Sequence, residues 1–155
     1  MNRYGLAVLV LLGSAVASFG LQWIDDFDQG MAQAKEAGKY ALVDFSGSDW
    51  CGWCMKLDKE VFSKKEFEDF AAKGLVCIVV DFPRHKPQSK KDRARNDALM
   101  KKYGVEGFPT VLLFSPDGRL AGTTGYEPGG PGPYVKSLQD MIDKDKSKSE
   151  PKAKP

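Results

Sequence analysis

The chain carries 155 residues, with 23 Lys and Arg against 21 Asp and Glu and a formal net charge of +2. Its basic residues are dispersed rather than gathered into one stripe with interleaved aromatics, which argues against nucleic acid as a partner. The length fits one ordinary domain with a single core, and no internal repeat is visible.

Residues 1–17 read as a secretory signal peptide. Arg3 supplies a positive start, residues 6–12 an apolar run, and Ala15-Val16-Ala17 a small-x-small pattern that sets cleavage before Ser18. The alternative is an N-terminal membrane anchor, because residues 4–21 approach bilayer-spanning length. Against it, Gly13, Ser14 and Ser18 weaken the apolar run. Export, to the periplasm or the medium, puts the mature chain in an oxidising compartment, where a free dithiol needs an electron donor and a disulfide does not.

Past the signal, helix and strand alternate. Residues 25–38 read as a helix, with Phe27, Met31 and Ala34 on one face and Gly38 as the stop. Residues 40–45 are a short apolar strand interrupted by Asp44. Residues 51–73 are helical with a break near Ser63, and Gly74 ends the stretch. The continuous apolar run 75–80 has the pattern of a strand covered on both faces, so it is expected at the centre of the sheet. A polar loop over 83–89 leads into a helix from Lys90 to Tyr103 that carries Ala94, Leu99 and Met100. A strand at 110–114, the turn Ser115-Pro116-Asp117-Gly118 and a strand at 119–124 make a hairpin. A helix over 133–142 closes the domain. Residues 143–155, rich in Lys, Ser and Pro with Ala153 as the sole apolar side chain, read as a disordered tail, which bounds the folded domain at 18–142.

Trp50-Cys51-Gly52-Trp53-Cys54, between the strand at 40–45 and the helix that follows, carries the chemistry. Two cysteines separated by two residues at the first turn of a helix can close a small disulfide, and the exposed first sulfur meets unpaired N–H groups and the positive end of the dipole. That setting favours the thiolate, the species that attacks disulfides. A closed zinc site would need four ligands, and only Cys77 and His85 remain, at irregular spacing. Haem attachment would need His after the second cysteine, where Met55 stands. A purely structural disulfide is the plainer alternative, but such bridges usually join separated segments. No metal or other cofactor is expected.

Val43-Asp44-Phe45 ahead of the motif, the motif itself, and Tyr103-Gly104-Val105-Glu106-Gly107-Phe108-Pro109-Thr110 before the hairpin together resemble the thioredoxin superfamily. Gly118 in the hairpin turn and Gly125 after the last strand extend the likeness over nearly all of the mature chain. It looks most like exported members with a Ser-Asp-Trp-Cys-Gly-Trp-Cys type of motif. The resemblance implies an α/β thioredoxin-like fold, a central mixed β-sheet flanked by helices on both faces, with a redox-active Cys51–Cys54 disulfide at one edge. Cys51, nearest solvent, is then the attacking thiolate, and Cys54, on the same helix face, resolves the mixed disulfide. Asp44 is expected to be buried, with a raised pKa that lets it exchange a proton with Cys54; the alternative is a solvated strand-end carboxylate. Pro109 stands where the family holds a cis proline. There it would face the Cys51 sulfur, restrain metal access and present the Phe108 backbone to an extended substrate strand. Trp50, Trp53 and Phe108 are expected to form an apolar rim that binds substrate together with Gly52 and Gly125, with ordinary packing as the alternative for the aromatics.

Cys77 reads as a buried small hydrophobe, at the position where thioredoxin commonly has a buried lysine. His85 reads as a solvated surface residue, and the six Lys and Arg of 84–95 as a solvated face, with docking of an acidic partner as the alternative. The resulting expectation is a monomeric thiol–disulfide oxidoreductase acting on cysteines or disulfides of exported proteins, recharged by a membrane electron donor. Trp53, where strong oxidants and isomerases of the superfamily carry His, leans it toward a reductase or general exchanger. The alternatives are a non-catalytic peptide-binding or chaperone-like module and a metal-handling or metallocofactor-assembly protein.

Overall fold

The computed structural model describes residues 21–149; the expected signal peptide and residues 150–155 of the expected tail lie outside it. Its frame is a five-stranded mixed sheet in the order β1 (Trp23–Ile24), β3 (Leu75–Asp81), β2 (Tyr40–Ser46), β4 (Thr110–Phe114), β5 (Leu120–Thr124). The first three run parallel, while β4 is antiparallel to β2 and β5 to β4. The run expected at the centre is therefore one place off it, and β2 is the central strand. The apolar pattern of β3 reports that both its faces are covered, not its rank in the sheet. What lies outside it is the two-residue β1, too short to leave a periodic signal.

Side chains leave a strand on alternate faces, and the core divides accordingly. Ala41, Val43, Phe45, Val76, Ile78, Val80, Leu112 and Phe114 pack with Phe27 and Ala34 of α1 (Phe27–Ala37) and Leu99 of α4 (Lys90–Lys102). Tyr40, Leu42, Leu75, Cys77, Val111 and Leu113 face the other way. They pack against α2 (Gly52–Leu57), α3 (Lys65–Gly74) and α5 (Pro131–Ser149) through Leu57, Phe67, Ala71, Leu138 and Ile142. Helix α1 starts where the Asp26 carboxylate accepts the Gln29 N–H at 3.0 Å and stops at Gly38. The break expected near Ser63 follows a π-helical turn, Asp58–Phe62, and the Ser63 hydroxyl donates to the Asp58 carbonyl at 2.8 Å.

The expected tail does not begin at 143. Helix α5 continues to Ser149, because Asp145 turns inward, only 5% exposed. It accepts hydrogen bonds from the Tyr40 hydroxyl at 2.9 Å and from Arg119 Nη1 at 2.8 Å. Burial and this bond push the Tyr40 phenol up to about 12. Counting apolar residues misses such an anchor, since what fixes the last turns is one buried carboxylate shared by the central strand and the β4–β5 turn. Asp145→Ala should lower unfolding stability by about 2 kcal/mol, less than for a fully buried pair because Arg119 is half exposed. Tyr40→Phe should cost about half as much. Urea midpoints at unchanged slope check both.

Candidate active site

Cys51 is the N-cap of α2, and Cys54 lies one turn inside it. The two are joined as a disulfide with Cα atoms 5.3 Å apart. The Cys51 sulfur accepts the Cys54 N–H at 3.2 Å, so the sulfur itself fills the capping role that Ser or Asp usually plays. This corrects the expectation of an exposed first sulfur. Cys51 is 6% exposed and Cys54 5%, so both are buried at the first turn of α2.

Asp44 leaves β2 on the face that carries Tyr40 and Leu42, and so lies beneath this helix. Together with Cys54 and Asp58 it lines an open cavity of about 240 Å³, bounded also by Trp23, Ser46, Ser48, Met55, Phe62 and Val79. Asp44 is 8% exposed and its Oδ1 has no hydrogen-bond partner among the described residues. Burial pushes its carboxyl up to about 7, and the charges of Asp58 and Asp81 add to the rise. The buried reading of Asp44 therefore holds over the solvated one. Cys77 is buried and free. Burial first, and then the nearby Asp44 charge, push its thiol up to about 12.

The Phe108–Pro109 peptide bond is cis. Gly125 packs against this loop so closely that a Cβ there would stand 3.0 Å from the Pro109 carbonyl oxygen. The aromatic rim is two units rather than one. Trp50 meets Phe108 edge-on at 5.9 Å, and Phe108 meets Phe82 at 5.0 Å. Trp53 is 57% exposed and pairs instead with Tyr126 at 5.1 Å. Gly52 is exposed with open space about its Cα.

Sequence reasoning missed several members. Asp58 had a signal, since it follows Cys54 by four residues on the same helix and such residues share a face. Asp81 had none, because its proximity to Asp44 comes from strand pairing. Tyr126 is brought in by a loop, its hydroxyl donating to Glu60 at 2.7 Å. The Asp49 carboxylate accepts the backbone N–H groups of Arg84, His85 and Lys86 at 2.9, 2.8 and 2.8 Å, which hold it below the usual range. That loop contact spans a separation that no local pattern encodes.

A dithiol at a helix start, over a buried strand carboxylate and beside a cis-proline loop, defines the thioredoxin-like class of redox proteins. Residues 27–130 match the thioredoxin-like domain family, and the chain belongs to it. Among its relatives is the disulfide bond reductase DsbH of Chlamydia pneumoniae, 32% identical over 127 residues that make up 82% of this chain and 76% of that protein. The thiol:disulfide interchange protein DsbD of Klebsiella pneumoniae is 34% identical over 96 residues, 62% of this chain but 14% of that protein. A solved DsbH oxidoreductase structure superimposes with a TM-score of 0.76 at 30% identity, covering 89% of this chain and 95% of that one. With its Cys51–Cys54 pair, the chain is a thiol–disulfide oxidoreductase.

The raised Asp44 pKa has a consequence for stability. A carboxyl whose folded pKa of about 7 lies above its ordinary 3.8 contributes fully below the lower value and loses that contribution as pH rises through the upper one. Asp44→Asn cannot ionise, so its advantage over the native oxidised protein should grow from near zero at about pH 4 to ~4 kcal/mol by about pH 8. Urea unfolding across that range measures it; a constant difference would show that Asp44 ionises normally.

Proposed function

We propose that the protein is an exported reductase of disulfides in exported proteins. The observation that carries this reading is the lining of the cavity beneath the dithiol, which holds the carboxyl groups of Asp44 and Asp58 beside Cys54 and, among the described residues, no Lys, Arg or His. Negative charge there disfavours the thiolate that ends reduction of the pair, so the dithiol gives up its electrons more readily. The helix N-terminus pulls the other way, at the Cys51 sulfur that caps α2.

In the forward reaction the Cys51 thiolate attacks one sulfur of a substrate disulfide. The other substrate sulfur leaves as a thiolate and takes up a proton. Asp44, in its ionised form, accepts the proton of Cys54, whose sulfur then displaces the remaining substrate sulfur and closes the Cys51–Cys54 disulfide. Two electrons pass to the substrate, which ends with two thiols. A thiol donor at the membrane returns the electrons. Pro109 and the Phe108 backbone seat the substrate strand, with Trp50 and Trp53 as the flanking contacts and Gly52 and Gly125 keeping the approach open. The N-terminal pattern of residues 1–17 supports export, and among the described residues no helix is long and apolar enough to cross a membrane.

The test is the equilibrium reduction potential of the mature chain titrated against dithiothreitol. A reductase should lie near ~−270 mV; a value of ~−120 to −180 mV would instead mark an oxidant or isomerase. Removing a cavity charge with Asp58→Asn should raise the potential by on the order of 10–30 mV. Cys51→Ser should abolish turnover of a protein disulfide, and retained activity would point to a binding module.

A further inference from the structure

Beside the dithiol, Trp50 carries a charged side chain that the exchange reaction does not use. The Trp50 indole N–H donates to the Phe82 carbonyl at 2.7 Å. Gly47 lets the ring lie flat against the backbone, since a Cβ there would come within 2.5 Å of the indole. The Arg84 guanidinium carbon stands 3.5 Å from the centre of the same ring, a contact distance at which cation and π-system attract. Arg84 is itself fixed from behind, because Asp49 accepts the N–H groups of residues 84, 85 and 86 and so holds the loop against the helix start. Asp49 spends its oxygens on backbone and makes no ion pair with the guanidinium.

Arg84 is exposed. Among the described residues its side chain makes no hydrogen bond, and none of Arg84, His85, Lys86, Lys90, Lys91 and Arg93 has a carboxylate within ion-pair distance. This is unlike Arg95, which is paired with Asp26 and Asp92. An Arg that stacks one face on an aromatic ring keeps its N–H edge for a planar anion and loses little freedom when it binds one. Trp50 is bonded to Cys51 and touches Phe108, the residue before Pro109. A chain seated against Cys51 and Phe108 therefore carries its neighbouring side chains past Arg84.

From this placement we infer that the Trp50–Arg84 unit is a specificity determinant: it selects substrate segments that carry a carboxylate close to the cysteine being exchanged, with Asp49 as its positioning residue. The inference rests on the oxidoreductase activity and adds the class of segment preferred. Arg84 faces solvent, where its effect on the buried sulfurs is screened, so its contribution falls on substrate capture.

The test uses the reduced mature chain and two disulfide-bonded peptides identical except for Glu or Lys beside the cysteine. The native protein should favour the Glu peptide in kcat/KM by about fivefold at low salt, and less at high salt. Arg84→Gln should bring the ratio near one, Arg84→Glu should reverse it, and Asp49→Ala should weaken it. Lys136→Glu, an equal charge change on α5 far along the chain, should keep the native ratio. The inference is overturned if both Arg84 variants retain the native ratio, or if Lys136→Glu loses it equally, which would reduce the effect to net charge. If neither peptide is exchanged by the native protein, the oxidoreductase reading itself fails.

Discussion

Tyr40, Leu42, Asp44 and Ser46 leave the central strand on one face because successive residues of a strand point to opposite sides, and most of the molecule's particular features depend on that register. One end of the row carries the phenol that grips Asp145 and extends α5. The other end carries the carboxyl under the dithiol and the serine that borders the same cavity. A slip of one residue would exchange the two faces, placing Val43 beneath Cys54 and Asp44 among the aromatics that pack against α1. The parallel pairing of β2 with β3 and its antiparallel pairing with β4, both over several residues, hold the register from each side.

The site sets two fields against one another. The start of α2 offers the Cys54 N–H to the Cys51 sulfur, while the carboxyl groups of Asp44 and Asp58 line the cavity with Cys54 and the Asp81 charge acts on Asp44. The low dielectric around Asp44 strengthens its interaction with any charge formed on Cys54, and the same burial keeps the carboxyl half protonated near neutrality. A group poised there can take a proton from a thiol and return it without a large uphill step in either direction. Burying an unpartnered carboxyl costs stability, which is the sense in which this position serves chemistry rather than the fold.

The local code was read where it was local. The first helix and its Gly38 stop, the apolar strand at 40–45, the hairpin and the break near Ser63 all follow from neighbouring residues, and the dithiol announced itself by spacing. The intrusion of Asp44 into an apolar strand was likewise visible. What escaped was everything set by distant partners. The two residues of β1 owe their pairing to β3. The last turns of α5 follow a polar sequence and are held by Tyr40 and Arg119, which lie 105 and 26 residues away. Arg84 reads as one of many surface cations until Asp49, 35 residues earlier, is seen to hold its loop.

Cys77 is a third thiol in a protein whose work is to exchange sulfur bonds, and such a thiol invites wrong pairing. Its burial on β3 and its pKa of about 12 keep it as a neutral, sheltered group. An alkylating reagent added to the native reduced protein therefore spares Cys77 and reaches it only after unfolding. The difference gives the molecule a built-in report of its own folding, readable without any engineered label.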